Sequence, residues 1–299
     1  MDHDLQIGIF YALVAGAFWG IGPLLLKRGM TLTNVSTATL IEQYVSVLAL
    51  VILAGIHGEL FRFREIPTEA VWAFALAGVV GASFGKIFYY IGIDRVGASK
   101  SISVKNSSPI LTILLAVFLL GEELTFAVAI GALLIVAGIV VLTQAQVGTK
   151  GEERPGRISY FFYPLLAAVC FGINPVFKKI GLDAAGLPIL GAVITQTAAL
   201  VVILTGGRLL KIRPRWERIP MKGLLYFTFS GVTEALGSLF TFFALNYAPT
   251  VIVSPIWRIS PLITFVLARF TLRGIEIVTL RDGVAATFIV GGVFVLSWG

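Results

Sequence analysis

The chain contains two closely similar pentapeptides, Ser108-Pro109-Ile110-Leu111-Thr112 and, 152 residues later, Ser260-Pro261-Leu262-Ile263-Thr264. The same offset relates Phe10-Tyr11-Ala12-Leu13 to Phe162-Tyr163-Pro164-Leu165. Chance does not hold a single offset across so much of a chain, so the pattern indicates a duplicated unit.

Other parts of the chain keep this offset. Gly20-Ile21-Gly22-Pro23 aligns with Gly172-Ile173-Asn174-Pro175, and Gln43 aligns with Gln196 after one residue of slippage. A polar, charged stretch lies halfway along the chain and has the composition of a linker. We therefore expect a first five-helix repeat, a linker and a second five-helix repeat, over residues 1–145, 146–158 and 159–299.

The composition is that of a membrane protein. Of 299 residues, 57% are hydrophobic and 13% are charged, and the mean hydropathy is +0.93, whereas a soluble domain carries roughly 25% charged residues. Apolar runs of about 20 residues, enough to cross the hydrocarbon core, recur along the chain. The first run has no Lys or Arg before it, and we expect it to be a retained span rather than a signal peptide.

These apolar runs are continuous rather than alternating, which predicts helices instead of barrel strands. The sequence therefore predicts an all-α integral membrane protein with ten transmembrane helices arranged as two inverted five-helix repeats. The predicted spans are 6–26, 35–56, 69–93, 97–119, 125–144, 159–180, 188–206, 222–246, 250–271 and 278–298.

An odd number of helices in each repeat sends the two copies into the membrane from opposite sides. Inverted repeats are typical of secondary transporters, which bind substrate near the bilayer midplane and between the halves. The loop charges predict an orientation as well. The basic segment Arg208–Lys222 is expected in the cytoplasm, which places both termini on the other side.

Residues Ser108–Thr125, SPILTILLAVFLLGEELT, resemble the span-four signature of the EamA branch of the drug/metabolite transporter (DMT) superfamily. The Trp19-Gly20 turn and the duplicated five-helix plan are also similar to that family. The resemblance covers nearly the whole chain. It implies a secondary transporter of a small organic metabolite, and it implies cytoplasmic termini, so the orientation stays open.

A second likeness concerns two basic residues. Lys105, four residues before Pro109, is similar to the span-four lysine of the plastid phosphate translocators. Arg258 falls near their span-nine Lys-Arg pair, where Trp257 replaces the lysine. The two side chains lie near symmetric positions on spans four and nine, and we expect them to bind the negative end of the substrate.

Formal charges inside spans are the main candidates for a binding site. Each costs roughly 2.5–3.5 kcal/mol at a helix centre, so such groups must pair with one another or face a wet cavity. The alternatives are purely structural pairing and snorkelling, which we expect for lysines at helix ends such as Lys178 and Lys179. The charges well inside predicted spans are Glu42, Lys86, Lys105, Glu234 and Arg258.

Uncharged residues extend the same helix faces. Gln43 and its counterpart Gln196 lie beside or opposite these charges, and the aromatic residues Trp19, Tyr90 and Trp257 are predicted to stack on a substrate. Polar residues on these faces could instead join helices to one another by hydrogen bonds.

The predicted site sums to one net positive charge, which favours an anionic or zwitterionic substrate such as an amino acid or an organic phosphate. The expected partners are this small molecule, the lipid bilayer, and protons or a counter-substrate as the coupled species. The net charge of +7 is better explained by lipid head groups and topology than by nucleic acid. We expect a multi-pass protein of the plasma or inner membrane.

Prolines occur in symmetric pairs inside the predicted spans. Proline removes a backbone donor and kinks a helix, which suits a hinge in a gating movement or an opened carbonyl ligand. The predicted hinges are Pro23 and Pro175 in spans one and six, with Pro109 and Pro261 in spans four and nine.

Other functional classes receive less support. The sequence lacks a nucleotide-binding Gly-x-x-x-x-Gly-Lys-Ser/Thr motif, so primary pumping is not expected. An intramembrane enzyme would need a Ser/His, Asp/Asp or His-metal group at depth, and a channel would need a filter-like loop. One cysteine, Cys170, and two histidines give no reason to expect a metal or another cofactor.

Overall fold

A computed structural model describes residues 3–30, 35–96, 101, 104–147, 158–209, 219–271 and 280–298, and the regular structure in these ranges is helical. In the first half the α-helices are α1 (His3–Met30), α2 (Val35–Ile56), α3 (Thr68–Leu76), α4 (Lys86–Val96), α5 (Ser108–Leu120) and α6 (Phe126–Val147). In the second half they are α7 (Phe162–Ala185), α8 (Pro188–Leu209), α9 (Met221–Tyr247), α10 (Thr250–Trp257), α11 (Ser260–Thr271) and α12 (Leu280–Trp298).

Apolar length identifies candidate membrane spans within the described residues. Six stretches are long and apolar enough to cross a bilayer: His3–Leu26, Thr37–Ile56, Thr68–Tyr89, Phe162–Ala185, Pro188–Gly206 and Met221–Tyr247. Four shorter apolar helices overlap the other predicted spans: Ser108–Leu120, Phe126–Leu142, Thr250–Thr264 and Gly283–Trp298. The total of ten spans stays a prediction.

The packing of the helices follows one rule in both halves. Helix α1 packs along α9 and against α10 and α11, while α7 packs along the stretch from α3 to α4 and against α5. Helix α2 packs on α8, and α6 packs on α12. Exchanging the two halves leaves this pattern unchanged, so most of the interior lies between the halves rather than within either one.

The α6–α12 contact depends on glycine. A Cβ atom on Gly131 would lie 2.9 Å from the Gly292 carbonyl oxygen, and one on Gly292 would lie 2.6 Å from the Gly131 oxygen. Small residues allow membrane helices to approach this closely, and the gain is van der Waals packing. The two last helices of the halves thus form a tight pair.

Carboxylates of the first half cap helices of the second half. The two carboxylate oxygens of Glu122 accept hydrogen bonds from the backbone N–H groups of Thr250 and Val251, both at 2.8 Å, at the start of α10. Glu59 accepts one from Leu190 N–H at 2.8 Å, at the start of α8. Both acids satisfy otherwise unpaired N–H groups and complement the positive helix end.

The third predicted span contains an element that its sequence did not predict. Between α3 and α4 the backbone forms a π-helix over Ala77–Gly85. Asn174 Nδ2 donates to the Ala77 carbonyl at 2.6 Å, and Ser83 Oγ donates to the Ala199 carbonyl at 3.3 Å. One side chain of the second half therefore satisfies a carbonyl of this widened turn, one side chain of the turn bonds to the second half in return, and Lys86 follows directly after it.

The proline predictions need one correction. Helix α1 continues through Pro23 and α7 through Pro175 without interruption. The chain is instead interrupted in spans four and nine, by turns at residues 106–107 and 258–259. A helix can continue through a single proline because only one of its hydrogen bonds is lost. A hinge at Pro23 or Pro175 therefore stays a prediction.

Candidate functional site

The interior between the halves holds a cluster of polar side chains, which we call the polar core. Several members are almost fully buried, with exposed fractions of 7% for Glu42, 1% for Gln43, 2% for Gln196 and 6% for Lys178. Ionised groups at such depth must be paired, hydrogen-bonded or used by a ligand. The polar core comprises Glu42, Gln43, Lys86, Lys105, Lys178, Gln196, Glu234 and Arg258.

The two glutamines bind each other where α2 crosses α8. Gln43 Nε2 donates to Gln196 Oε1 at 2.9 Å and to the Gln196 backbone carbonyl at 3.0 Å. These are symmetry-equivalent residues, so the contact joins the halves at their shared centre. Their role as substrate ligands stays a prediction, because the amide groups are engaged with one another here.

The two carboxylates of the polar core, Glu42 and Glu234, have different partners. Lys86 Nζ lies 3.1 Å from Glu234 Oε1 and forms an ion pair between α4 and α9. Glu42 accepts a hydrogen bond from the Ser230 hydroxyl. A hydroxyl of α9 therefore holds the Glu42 carboxylate.

Lys105 and Arg258 converge on one aromatic ring of α7. Lys105 Nζ lies 5.7 Å from the centre of the Phe171 ring and 4.8 Å from that of Tyr89. Arg258 Cζ lies 5.9 Å from the Phe171 ring centre. These are cation–π distances. Within the described residues, neither cation has a carboxylate at ion-pair distance.

Both cations sit at the helix breaks. Lys105 directly precedes the turn at residues 106–107, and Arg258 is the first residue of the turn at 258–259. The next helices begin at once, with Pro109 and Pro261 in their first turns. A proline is well tolerated there because the first N–H groups of a helix have no intrahelical partner. The breaks thus place Lys105 at the last helical residue before one turn and Arg258 within the other.

Pro175 explains one contact of Arg258. A proline lacks the N–H that would bond the carbonyl four residues earlier, which is that of Phe171. Arg258 Nη2 donates to this Phe171 carbonyl at 3.2 Å. The arginine therefore satisfies a carbonyl that the proline has freed, while its charge faces the ring of the same residue.

The aromatic candidates differ in their surroundings. Trp19 donates from Nε1 to Thr241 Oγ1 at 3.2 Å, and its ring lies against Gly237, where a Cβ atom would come within 3.3 Å. Phe171, its counterpart, lies against Gly85 in the same way, at 3.4 Å. Trp257 is 5% exposed and packs in the apolar core. The side chain of Tyr90 falls outside the described part of the chain.

Lys178 was not among the residues predicted to form the site. It was expected to snorkel at a helix end, but α7 continues to Ala185 and Lys178 is buried. Its Nζ lies 5.0 Å from the Phe242 ring centre. The adjacent Lys179 instead pairs with Asp183 at 2.9 Å. The only signal in the sequence was spacing, since Lys178 follows Phe171 by seven residues and so shares its helix face.

Several buried hydroxyl groups lack a hydrogen-bond partner within the described residues. They belong to Ser46, Ser101, Ser108, Thr250 and Ser254. A buried unpaired hydroxyl costs free energy unless water or a ligand bonds to it. Ser101 and Ser108 flank Lys105, and Ser254 precedes Arg258 by one helical turn, so the neighbourhood of both cations has spare hydrogen-bonding capacity.

Other parts of the described structure give less evidence of a binding site for a polar solute. No group of three or more His, Cys, Asp and Glu side chains among these residues could hold a metal ion. Two surface grooves are lined almost wholly by apolar side chains of α12, or of α5 and α6, and neither includes a member of the polar core. Apolar grooves of this kind suit lipid chains better than a polar solute.

Comparison with known proteins identifies the duplicated unit. The model of the EamA-like transporter family matches residues 6–144 and, a second time, residues 158–298. A solved crystal structure superposes with a TM-score of 0.79 over 96% of this chain and 95% of that chain, at 17% sequence identity. At that identity the likeness shows the fold alone.

Curated relatives are similar at low identity. An uncharacterized transporter of Clostridium kluyveri is 28% identical over 47% of this chain and 44% of the relative. A WAT1-related chloroplastic protein of Arabidopsis thaliana is 28% identical over 54% and 38%. These matches span less than half of either relative's length. An uncharacterized transporter of Helicobacter pylori is 24% identical over 86% and 83%.

Proposed function

The chain belongs to the EamA-like transporter family, and from that premise we propose that it carries a small anionic or zwitterionic metabolite, such as an amino acid or an organic phosphate. Family and relatives point to membrane transport of small solutes by a multi-pass membrane protein rather than to an enzyme. The proposal adds the substrate class, alternating access, protons or a counter-substrate as the coupled species, and location in the plasma or inner membrane.

The convergence of Lys105 and Arg258 on the Phe171 ring carries the proposal. Two cations that share one aromatic ring and have no carboxylate partner within the described residues are suited to bind a carboxylate or phosphate oxygen. The unpaired hydroxyls of Ser108 and Ser254 lie nearby in sequence. Hydrogen bonds to ionised groups are the stronger kind, which suits a site that must extract a charged solute from water.

The matched helix breaks support alternating access. In our proposal the ten spans form two inverted repeats, and the halves exchange conformations around the polar core. Because one cation comes from span four and the other from span nine, a bound anion keeps one contact while the opposite side opens. Pro109 and Pro261 mark the positions where these spans would bend.

Transport assays in proteoliposomes test this proposal. We expect uptake of a panel of amino acids, organic phosphates and other organic acids to reveal a substrate. For that substrate, Lys105→Ala and Arg258→Ala should each lower uptake about ten- to a hundredfold, the loss expected for one charge-assisted contact. Arg258→Lys should retain part of the activity, since it keeps the charge but not the planar donors.

Lys222→Ala is the matched control, because Lys222 is exposed at the start of α9 and should leave uptake unchanged. Each variant is first shown to insert and to migrate as a monodisperse species. Wild-type uptake by correctly inserted Lys105→Ala and Arg258→Ala proteins would refute the binding model. Uptake that does not saturate with concentration would refute alternating access in favour of a channel.

A further inference from the structure

Lys178 is a buried cation that the proposed site does not use. Its side chain belongs to a residue only 6% exposed, and within the described residues no carboxylate lies at ion-pair distance. Its Nζ lies over the Phe242 ring, 5.0 Å from the ring centre. An aromatic face offsets part of the cost of burying an ammonium group but does not replace a counter-charge.

The charge balance of the polar core also indicates that a negative charge is missing. It contains four cations and two carboxylates. The Lys86–Glu234 pair is internally balanced, and Glu42 is held by the Ser230 hydroxyl. Two positive charges therefore remain in excess. A charge imbalance inside a membrane protein is costly unless a ligand supplies the missing sign.

Lys178 lies within reach of the other cations. It follows Phe171 on α7 by seven residues, which places it on the same helix face and about 10 Å further along the axis. Lys178 interacts electrostatically with Arg258 and Glu234, and Arg258 interacts with Lys105. Arg258 thus interacts with two lysines, neither of which has a carboxylate at ion-pair distance within the described residues.

We propose that Lys178 is a third cationic ligand and that the transported solute is a dianion. This inference rests on the proposed function and narrows it. One negative charge of the solute is met by Lys105 and Arg258, and the second is met by Lys178. A dicarboxylate with charges at both ends and a phosphomonoester with both charges on one group share this chemistry.

Ligand binding to the purified protein in detergent is measured by the thermal stabilisation that the ligand causes. Comparing ligands of similar shape and different charge isolates the effect of the ligand's charge. The probes are two matched pairs: succinate against succinamate, and methyl phosphate against dimethyl phosphate. We expect the wild type to bind a dianion about ten- to a hundredfold more tightly than its monoanionic partner. The pair that shows the preference identifies whether the second charge belongs to a dicarboxylate or a phosphomonoester.

Lys178→Met should remove this preference by weakening dianion binding much more than monoanion binding, and Lys178→Arg should preserve it. Lys179→Met is the matched control, since Lys179 is adjacent to Lys178 and already pairs with Asp183, and this variant should behave as the wild type. Lys178→Gln takes the place of Lys178→Met if the latter is not recovered folded.

The outcomes are distinct. A preference that survives Lys178→Met, or that the wild type lacks, overturns the dianion assignment. Equal weakening of both members of a pair by Lys178→Met also overturns it, since that result indicates a general structural role. Lys105→Ala tests the underlying proposal separately, because it should weaken monoanions and dianions alike. No binding of any probe overturns the inference for both chemical classes.

Discussion

The helix break beside Lys105 and the helix break at Arg258 have the same backbone design. In each, a two-residue turn is followed by a serine, a proline and, four residues after the serine, a threonine. Thr112 Oγ1 donates to the Gly172 carbonyl at 2.9 Å, and Thr264 Oγ1 donates to the Gly20 carbonyl at 2.8 Å. Each break is thus tied to the first helix of the opposite half by an equivalent hydrogen bond.

The charges at the breaks do not follow this symmetry. At the offset of 152 residues, Lys105 corresponds to Trp257, and Arg258 corresponds to Asn106. Lys178 corresponds to Leu26. The duplicated halves have therefore kept the same helix breaks and diverged in the side chains that would bind a solute. Exchange of conformations requires only the shared backbone, whereas an asymmetric solute requires different contacts from each half.

The largest expected effect concerns a charge pair without symmetry, since Lys86 corresponds to Ser238 and Glu234 to Ala82. Lys86→Met should lower the free energy of unfolding by about 3–5 kcal/mol, because it leaves the carboxylate of Glu234 buried without its partner. Adding Glu234→Gln should recover much of this loss. Unfolding in mixed micelles, followed as a double-mutant cycle, measures the coupling.

The exposed pair Arg62–Glu65 is the control for that cycle. Its nitrogen–oxygen distance is 2.9 Å, but its side chains are 55% and 64% exposed, against 24% and 10% for Lys86 and Glu234. Breaking it should cost about 0–1 kcal/mol. Comparable coupling in both pairs would show that water reaches the Lys86–Glu234 pair freely, and the divergence between halves would then matter little for stability.

Much of the fold was predictable because the duplication repeats the sequence pattern of each element. The constant offset gives the two copies, and apolar length gives the helices, since lipid requires every backbone group to be bonded within the chain. The Ser-Pro pairs at 108 and 260 indicated the breaks because the pair occurs at equivalent positions in both copies. A single copy of either pentapeptide would have been a weak signal.

The side-chain partners were not predictable from the sequence. Lys178 was taken for a helix-end residue because its span was predicted to end at residue 180, whereas α7 ends at Ala185. The packing of α7 against its neighbouring helices, not its own residues, sets that depth. The π-helix at Ala77–Gly85 and the caps by Glu59 and Glu122 likewise depend on contacts between halves, which no local pattern records.

The matched threonines give a direct test of the shared backbone design. Thr112→Val and Thr264→Val each remove one hydroxyl donor and keep the side-chain volume. Each should lower the free energy of unfolding by about 0.5–1.5 kcal/mol, the net value of one hydrogen bond, and the two losses should be equal within error. Thr287→Val is the control, because its hydroxyl bonds only within its own exposed helix turn. A much larger loss at one threonine would mean that the breaks are not equivalent.

The smallest effect concerns Glu59, which caps α8 from outside the spans. Burial raises the pKa of the Glu59 carboxyl above its ordinary value, although the backbone N–H of Leu190 opposes this. A carboxyl with a higher pKa in the folded state binds its proton more tightly there. Its contribution to stability is therefore greatest below the unfolded pKa and is lost as pH rises through the folded pKa.

Glu59→Gln keeps an acceptor for the Leu190 N–H and cannot ionise. The difference in unfolding free energy, wild type minus variant, should therefore decrease as pH rises from about 4, measured by unfolding at a series of pH values. Glu65→Gln, at an exposed position of the same segment, controls for general charge effects and should give a flatter difference. A difference that increases with pH would show that the hydrogen bonds to the carboxylate outweigh its burial. Glu59 would then resemble Glu122, as a cap that is strongest when ionised.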